Sequence, residues 1–211
     1  MGELAGAVET WHSPTAARRA PSRVGLVLAM HLARLLSPAQ LAGYVAFVLG
    51  VTAFLQRDDR RLKFFLASEC AAYVVHFLLL GNPTAAASSA VSGGRTLITF
   101  WSRSRRLALL FMASYLVVGA TLANSLAAWW PVVGSSLATW AVFRMHGIRM
   151  RLVMLVSTSM WLTNNILSGS VGGTLLEALI AIANVTTIAR MVRIVRYPAE
   201  EVGGVTPRSR G

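Results

Sequence analysis

From Pro38 to Met191 the chain alternates apolar runs, each about as long as a bilayer is thick, with short clusters of arginine. A helix rises 1.5 Å per residue, so about 20 apolar residues cross a hydrocarbon core roughly 30 Å deep. Runs bounded by charge, glycine or proline mark seven candidate spans, at about 38–56, 64–80, 84–101, 107–126, 129–144, 150–168 and 173–192. The third and fifth are short and contain Arg95 and Pro131, which leaves a six-span count open. With 55% of its residues apolar and only 13% charged, the chain lacks the polar surface of a soluble domain. The expected fold class is all-α: a multi-pass transmembrane bundle of seven helices.

The loops between these runs alternate in charge. Arg57 to Lys63, Arg103 to Arg106, Arg144 to Arg151 and Arg190 to Arg196 are basic, whereas Gly81 to Pro83, Ala123 to Ala128 and Gly169 to Gly173 carry no charge. Basic loops stay in the cytoplasm, so seven spans put the N-terminus outside and the C-terminus inside, with Arg57 to Lys63 a tight cytoplasmic turn. The formal charge of +12 is scattered among these loops rather than gathered on one face, which argues against nucleic acid as a partner. The bilayer is the expected partner.

Three segments follow from this reading. Residues 1–37 form an N-terminal extension whose arginines (Arg18, Arg19, Arg23, Arg34) suit translocation poorly and whose apolar piece VGLVLAMHLARLL is too short to span. Translation starting at Met30 is the simpler expectation for it. Residues 38–193 are the membrane domain, and 194–211 a polar tail expected to be a disordered cytoplasmic segment. Sliding the sequence by 88 residues sets Arg61 on Arg149, Lys63 on Arg151, Tyr73 on Trp161, His76 on Asn164 and Gly81 on Gly169. One inserted residue then sets Arg95 on Asn184. Such a repeat describes two parallel three-helix units joined by the fourth span, although hairpins of similar length also align by chance.

The ordered motifs FLQRDDRRLK, HFLLLG, GGRTLITFWSRS, PVVGSSLATWAVFR and GSVGGTLLEALIAIAN, spread over Gln40 to Arg193, resemble those of the YgjV-type family of bacterial inner membrane proteins. The resemblance implies an inner-membrane location and supplies no mechanism. A looser likeness is to the SWEET and PQ-loop transporters, which pair two three-helix bundles through a linker helix. That likeness is one of architecture, and fold does not fix function. The PQ dipeptide is absent, with PAQ at Pro38 to Gln40 and PVV at Pro131 to Val133 in its place, so a sugar substrate does not follow.

Residues able to carry chemistry are few. The only carboxylates within spans are Glu69 and Glu177, and the four histidines lack metal-ligand spacing, so neither a metal site, a cofactor nor a catalytic residue is expected. No GxSxG elbow or phosphate loop is present, and the chain is not expected to be an enzyme. Ionisable groups within spans face a bundle interior or a cavity, and four qualify: Glu69, His76, Arg95 and Glu177. Counting from the loops places Glu69 and Arg95 at similar depth, about 9 to 12 Å inside the cytoplasmic edge, which suggests that they pair. His76 and Glu177 match near the outer edge.

Polar stripes extend this set. Glu69, Tyr73 and His76 share a face of the second span; Ser88, Ser92, Arg95 and Thr99 of the third; Ser157, Trp161, Asn164 and Ser168 of the sixth; Thr174, Glu177 and Asn184 of the seventh. If these faces converge, Glu69, Tyr73, His76, Ser92, Arg95, Trp161, Asn164, Glu177 and Asn184 line a solute pathway or form an intramembrane polar network. Small-residue stripes also serve simply as packing faces. The leading expectation is a carrier or facilitator of a small polar solute; the alternative is a non-transport scaffold or regulatory protein. A hydrated cavity reaching Arg95 and Asn184 separates the two. No motif encodes the solute, the coupling ion or the oligomeric state.

Overall fold

A computed structural model of the chain describes residues 22–102 and 104–196; the remainder of the N-terminal extension, Arg103 and the tail from Tyr197 lie outside the described residues. The described residues form eight α-helices and one short 3-10 turn, with no strand among them: α1 Arg23–Leu35, α2 Pro38–Phe54, α3 Asp59–Leu79, α4 Pro83–Ile98, α5 Arg105–Leu122, the turn Ala127–Trp129, α6 Trp130–Arg144, α7 Gly147–Leu167 and α8 Val171–Arg196. The chain divides at Leu35 into two units. The first holds α1, an amphipathic helix with Met30 near its middle. Its apolar piece is therefore helical, an eighth helix where seven were expected.

The second unit places α2 to α8 on the seven apolar runs. Three of these helices are each long and apolar enough to cross a bilayer alone: Asp59–Leu79, Arg105–Leu122 and the Val171–Arg193 stretch of α8. One of the others, α4, falls short for a physical reason. Helix α4, whose sequence PTAAASSAVSGGRTLI is small and polar, buries Thr84, Ala85, Ala86, Ser88, Ser89 and Gly93 against protein, so lipid does not demand hydrophobicity of that face.

Helix boundaries correct the reading of the charge clusters. Arg57 to Lys63 is not a turn: the connection is only Leu55 to Asp58, and the Asp58 carboxylate accepts the Arg61 N–H at 2.9 Å, starting α3 at Asp59. Ser37, Asn82 and Ser104 cap α2, α4 and α5 in the same way. At the far end, Arg190 to Arg196 continues α8 rather than opening a tail at residue 194. Trp129, in the short turn before α6, packs its ring over Gly119 of α5.

The 88-residue offset is written into the backbone. Helices α3 and α7, each of 21 residues, begin and end at matching positions. Both close in a Schellman motif, with Asn82 N–H donating to Phe77 O at 2.8 Å and Ser170 N–H to Asn165 O at 2.8 Å, while Gly81 and Gly169 each donate at 3.1 Å to Leu78 and Ile166. These glycines carry φ of +72° and +67°, which is why neither position takes a side chain. The next helix is capped at the next matched pair, Asn82 accepting from Ala85 N–H at 3.0 Å and Ser170 from Gly173 N–H at 3.1 Å. Helices α2 to α4 and α6 to α8 are thus two copies of one three-helix unit. Across the junction α2 packs on α8 and α6 on α4, the exchange expected of parallel repeats, and α5 joins them by packing on both α4 and α6.

Candidate functional site

Between the two three-helix units lies a cavity of about 540 Å³, running from Gln56, Asp59 and Thr99 at the basic-loop end to Trp161, Asn165 and Glu177 inside the bundle. At least half of its lining residues come in pairs set 88 residues apart. Leu66 and Met154, Glu69 and Ser157, Cys70 and Thr158, and Tyr73 and Trp161 line it from α3 and α7; Ser89 and Glu177, and Ser92 and Ile180, line it from α4 and α8. Paired lining of this kind puts the cavity on the relation between the repeats. Matched positions do not carry matched chemistry, because each carboxylate faces a serine position in the other unit.

Helix α3 supplies Glu69 and Tyr73 on one stripe. The Glu69 carboxyl sits where Gly50 of α2 leaves room, a Cβ there falling 3.1 Å from its Cδ. Tyr73 stacks on Phe77 with centroids 5.4 Å apart, and Phe77 meets Trp161 at 5.9 Å, so an aromatic row backs the inner end. The Trp161 indole N–H donates to Ser135 Oγ at 3.2 Å. Glu69, Glu177 and Tyr73 all line this one cavity.

Arg95 lines the cavity but does not pair with Glu69. Its Nη1 donates to Thr139 Oγ1 at 2.7 Å, and Thr139 passes its own proton to Ser135 O at 2.8 Å. A neutral hydroxyl on α6, one helix further round, therefore receives the guanidinium in place of the expected carboxylate. Ser92 shares a 2.8 Å hydrogen bond with the buried Tyr115 hydroxyl of α5.

Three residues of the sequence-derived set lie outside this cavity. His76 is fully buried and bridges helices: Nδ1 lies 2.6 Å from Ala39 O and Nε2 2.7 Å from Ser170 Oγ. Since Ser170 Oγ also accepts from Gly173 N–H, a neutral imidazole donating from Nδ1 and accepting the serine proton satisfies every partner. Asn164 accepts from Asn82 Nδ2 at 3.0 Å and lines a separate space of about 280 Å³ at the uncharged-loop end, beside Ser168 and Asn124. Asn184 accepts from Arg151 Nη1 at 3.2 Å within its own unit. The cavity reaches Arg95 and stops short of Asn184.

Several lining residues were not singled out from sequence. Lys63, the only lysine in the chain, pairs with Asp59 at 2.6 Å, donates to Thr99 O at 3.3 Å and stands 4.9 Å from the centre of the Phe100 ring. Ser135 on α6, and Asn165, whose Oδ1 is buried without a partner, complete the inner wall. The Asn165 Nδ2 donates to Trp161 O at 3.0 Å, which fixes the amide orientation and leaves the oxygen as the free atom. Among the described residues no three His, Cys, Asp or Glu side chains gather as a metal site would require.

Residues 37–194 match the family described as Imp-YgjV, bacterial inner membrane protein. The chain is 38% identical over 156 residues to the inner membrane protein YgjV of Escherichia coli (strain K12), covering 74% of this chain and 85% of that one. No solved structure matches it. The match spans both three-helix units, but for the last two residues of α8, and their linker, and the chain belongs to the YgjV family of bacterial inner membrane proteins.

Proposed function

We propose that the chain is a carrier or facilitator of a small polar solute, with no catalytic role, and that its C-terminus and the mouth of the central cavity face the cytoplasm. The observation that carries this reading is the cavity of about 540 Å³ lined in pairs by the two repeats, because solute sites of repeat-built transporters lie at the repeat interface. A scaffold held together by polar contacts has no reason to keep such a space. It would fill it, since lost dispersion contacts destabilise a packed interior. The orientation follows from charge: the cavity opens beside Gln56, Asp59 and Lys63, at the end carrying the basic clusters.

The test is a flux screen across polar solutes with the full chain in proteoliposomes. Uptake above protein-free vesicles is expected for at least one solute class, and Ser89→Trp, which fills the cavity without changing its charge, should abolish that uptake while the protein still melts cooperatively. Absence of uptake for every class, or uptake unaffected by Ser89→Trp, would sink the reading and favour the scaffold.

A further inference from the structure

Resting on the carrier reading, we propose that the inner end of the central cavity binds a small primary ammonium ion with a short hydrocarbon body, seated among Glu69, Glu177, Tyr73 and Trp161. Counting formal charges along the cavity, Lys63 and Arg95 stand against Asp59, Glu69 and Glu177. Two cationic side chains against three carboxyl groups leave one carboxyl group without a cationic counterpart in the cavity. The distribution sharpens this. Lys63 is taken by Asp59 at the mouth and Arg95 is tied to Thr139, while Glu69 and Glu177 make no ion pair or hydrogen bond among the described residues.

A separate observation points to a ligand at the same place. Tyr73, 8% exposed, lines the cavity with its hydroxyl in contact with no hydrogen-bond partner. An unmade hydrogen bond at a buried hydroxyl is unfavourable, so a group that supplies it there is stabilised. Four carboxylate oxygens and a phenol oxygen ask for donors, and a primary ammonium brings three. The space is too large for a bare ion, and part of its wall is apolar: Leu66, Met154 and Ile180 offer a surface for a hydrocarbon body, and the Trp161 ring a face for the charge. A calcium-like site would need six or more oxygen ligands, which two carboxylates do not provide.

Cys70, the only cysteine, lines the same cavity and reports on its occupancy. The experiment measures the rate at which a small methanethiosulfonate modifies Cys70 in the full chain in detergent, with melting temperature as a second readout. The probes are n-butylammonium, its neutral counterpart n-butanol, butyrate and sodium chloride, all at one ionic strength. Butylammonium is expected to slow the modification saturably and raise the melting temperature, and the other three are not. Glu69→Gln and Glu177→Gln should each raise the half-protecting concentration about tenfold or more, and Tyr73→Phe by less. Each variant is scored only where its unliganded melting temperature matches wild type, and either glutamate suffices.

Equal protection by sodium or by butanol would overturn the proposal, as would protection unchanged in the glutamine variants, or no protection by butylammonium in either readout. If another solute is carried in proteoliposomes while butylammonium does nothing, the charge class fails and the carrier reading stands. If butylammonium protects and no solute moves, the site stands and the carrier reading fails.

Discussion

The Arg95 guanidinium uses one of its N–H groups to reach from α4 across to Thr139 on α6, and that partner sets what its removal should do. In a double-mutant cycle on thermal stability in detergent, Arg95→Gln and Thr139→Val should couple by about 0.6 kcal/mol, up to roughly 1.7, as interhelical hydrogen bonds in membranes do. Coupling of Arg95→Gln to Glu69→Gln should be smaller, because no ion pair joins them. A larger coupling to Glu69 would show that the two charges meet in detergent after all. At this scale the sequence was legible where a residue announces its own oddity: Glu69, Arg95 and Glu177 are charges inside apolar runs, and all three face the cavity. Partners were not legible, because depth counted along one helix says nothing about which neighbour lies alongside. Ser135 and Thr139 stand four residues apart on α6 and would have shown as a polar stripe, yet a hydroxyl in a small-residue helix looks the same whether it packs or bonds. Lys63 carried one signal, its being the sole lysine, and that gave no hint of its reach to Thr99.

Helices meet where glycine lets them. A Cβ on Gly172 of α8 would fall on the backbone carbonyl of Gly43 in α2, and one on Gly43 would lie 2.7 Å from the His76 ring. The contact is backbone on one side, so it cannot yield by a rotamer change. Gly172→Ala should therefore part α2 from α8 and lower stability by about 1 to 3 kcal/mol, measured as the melting midpoint in detergent. Gly94→Ala is the control: nothing lies within 4 Å of the added methyl, so stability should hold or rise by up to about 1 kcal/mol from helix propensity alone. Equal effects of the two substitutions would refute the close approach. Element positions came from the sequence because apolar length is set by the bilayer, and each of the seven runs carries a helix. Their ends did not. Clustered charge suggests a loop, but Asp58 capping α3 turns Asp59 to Lys63 into its first turn, and α1 forms although it is too short to span.

The two units share a frame and differ in lining, and the orientation of the whole molecule rests on the alternation of basic and uncharged turns. In a Cys70→Ala background, Asn124→Cys should react with a membrane-impermeant maleimide in intact spheroplasts, whereas Arg57→Cys and His146→Cys should react only after permeabilisation. All three positions are exposed. Reaction at Arg57→Cys from outside would invert the topology and turn the cavity mouth away from the cytoplasm. The repeat itself was faintly legible, through a handful of coincidences at one offset; what made it plain was the pair of matching turns, which only backbone geometry reveals. Glu69 belongs to the second helix of one unit and Glu177 to the third helix of the other, with Ser157 and Ser89 at the vacated equivalents. A homodimer assembled from either half would duplicate its own carboxylate, placing two on second helices or two on third helices and never one of each. Joining the halves in a single polypeptide is thus what allows one acid on a second helix and one on a third helix around the same cavity.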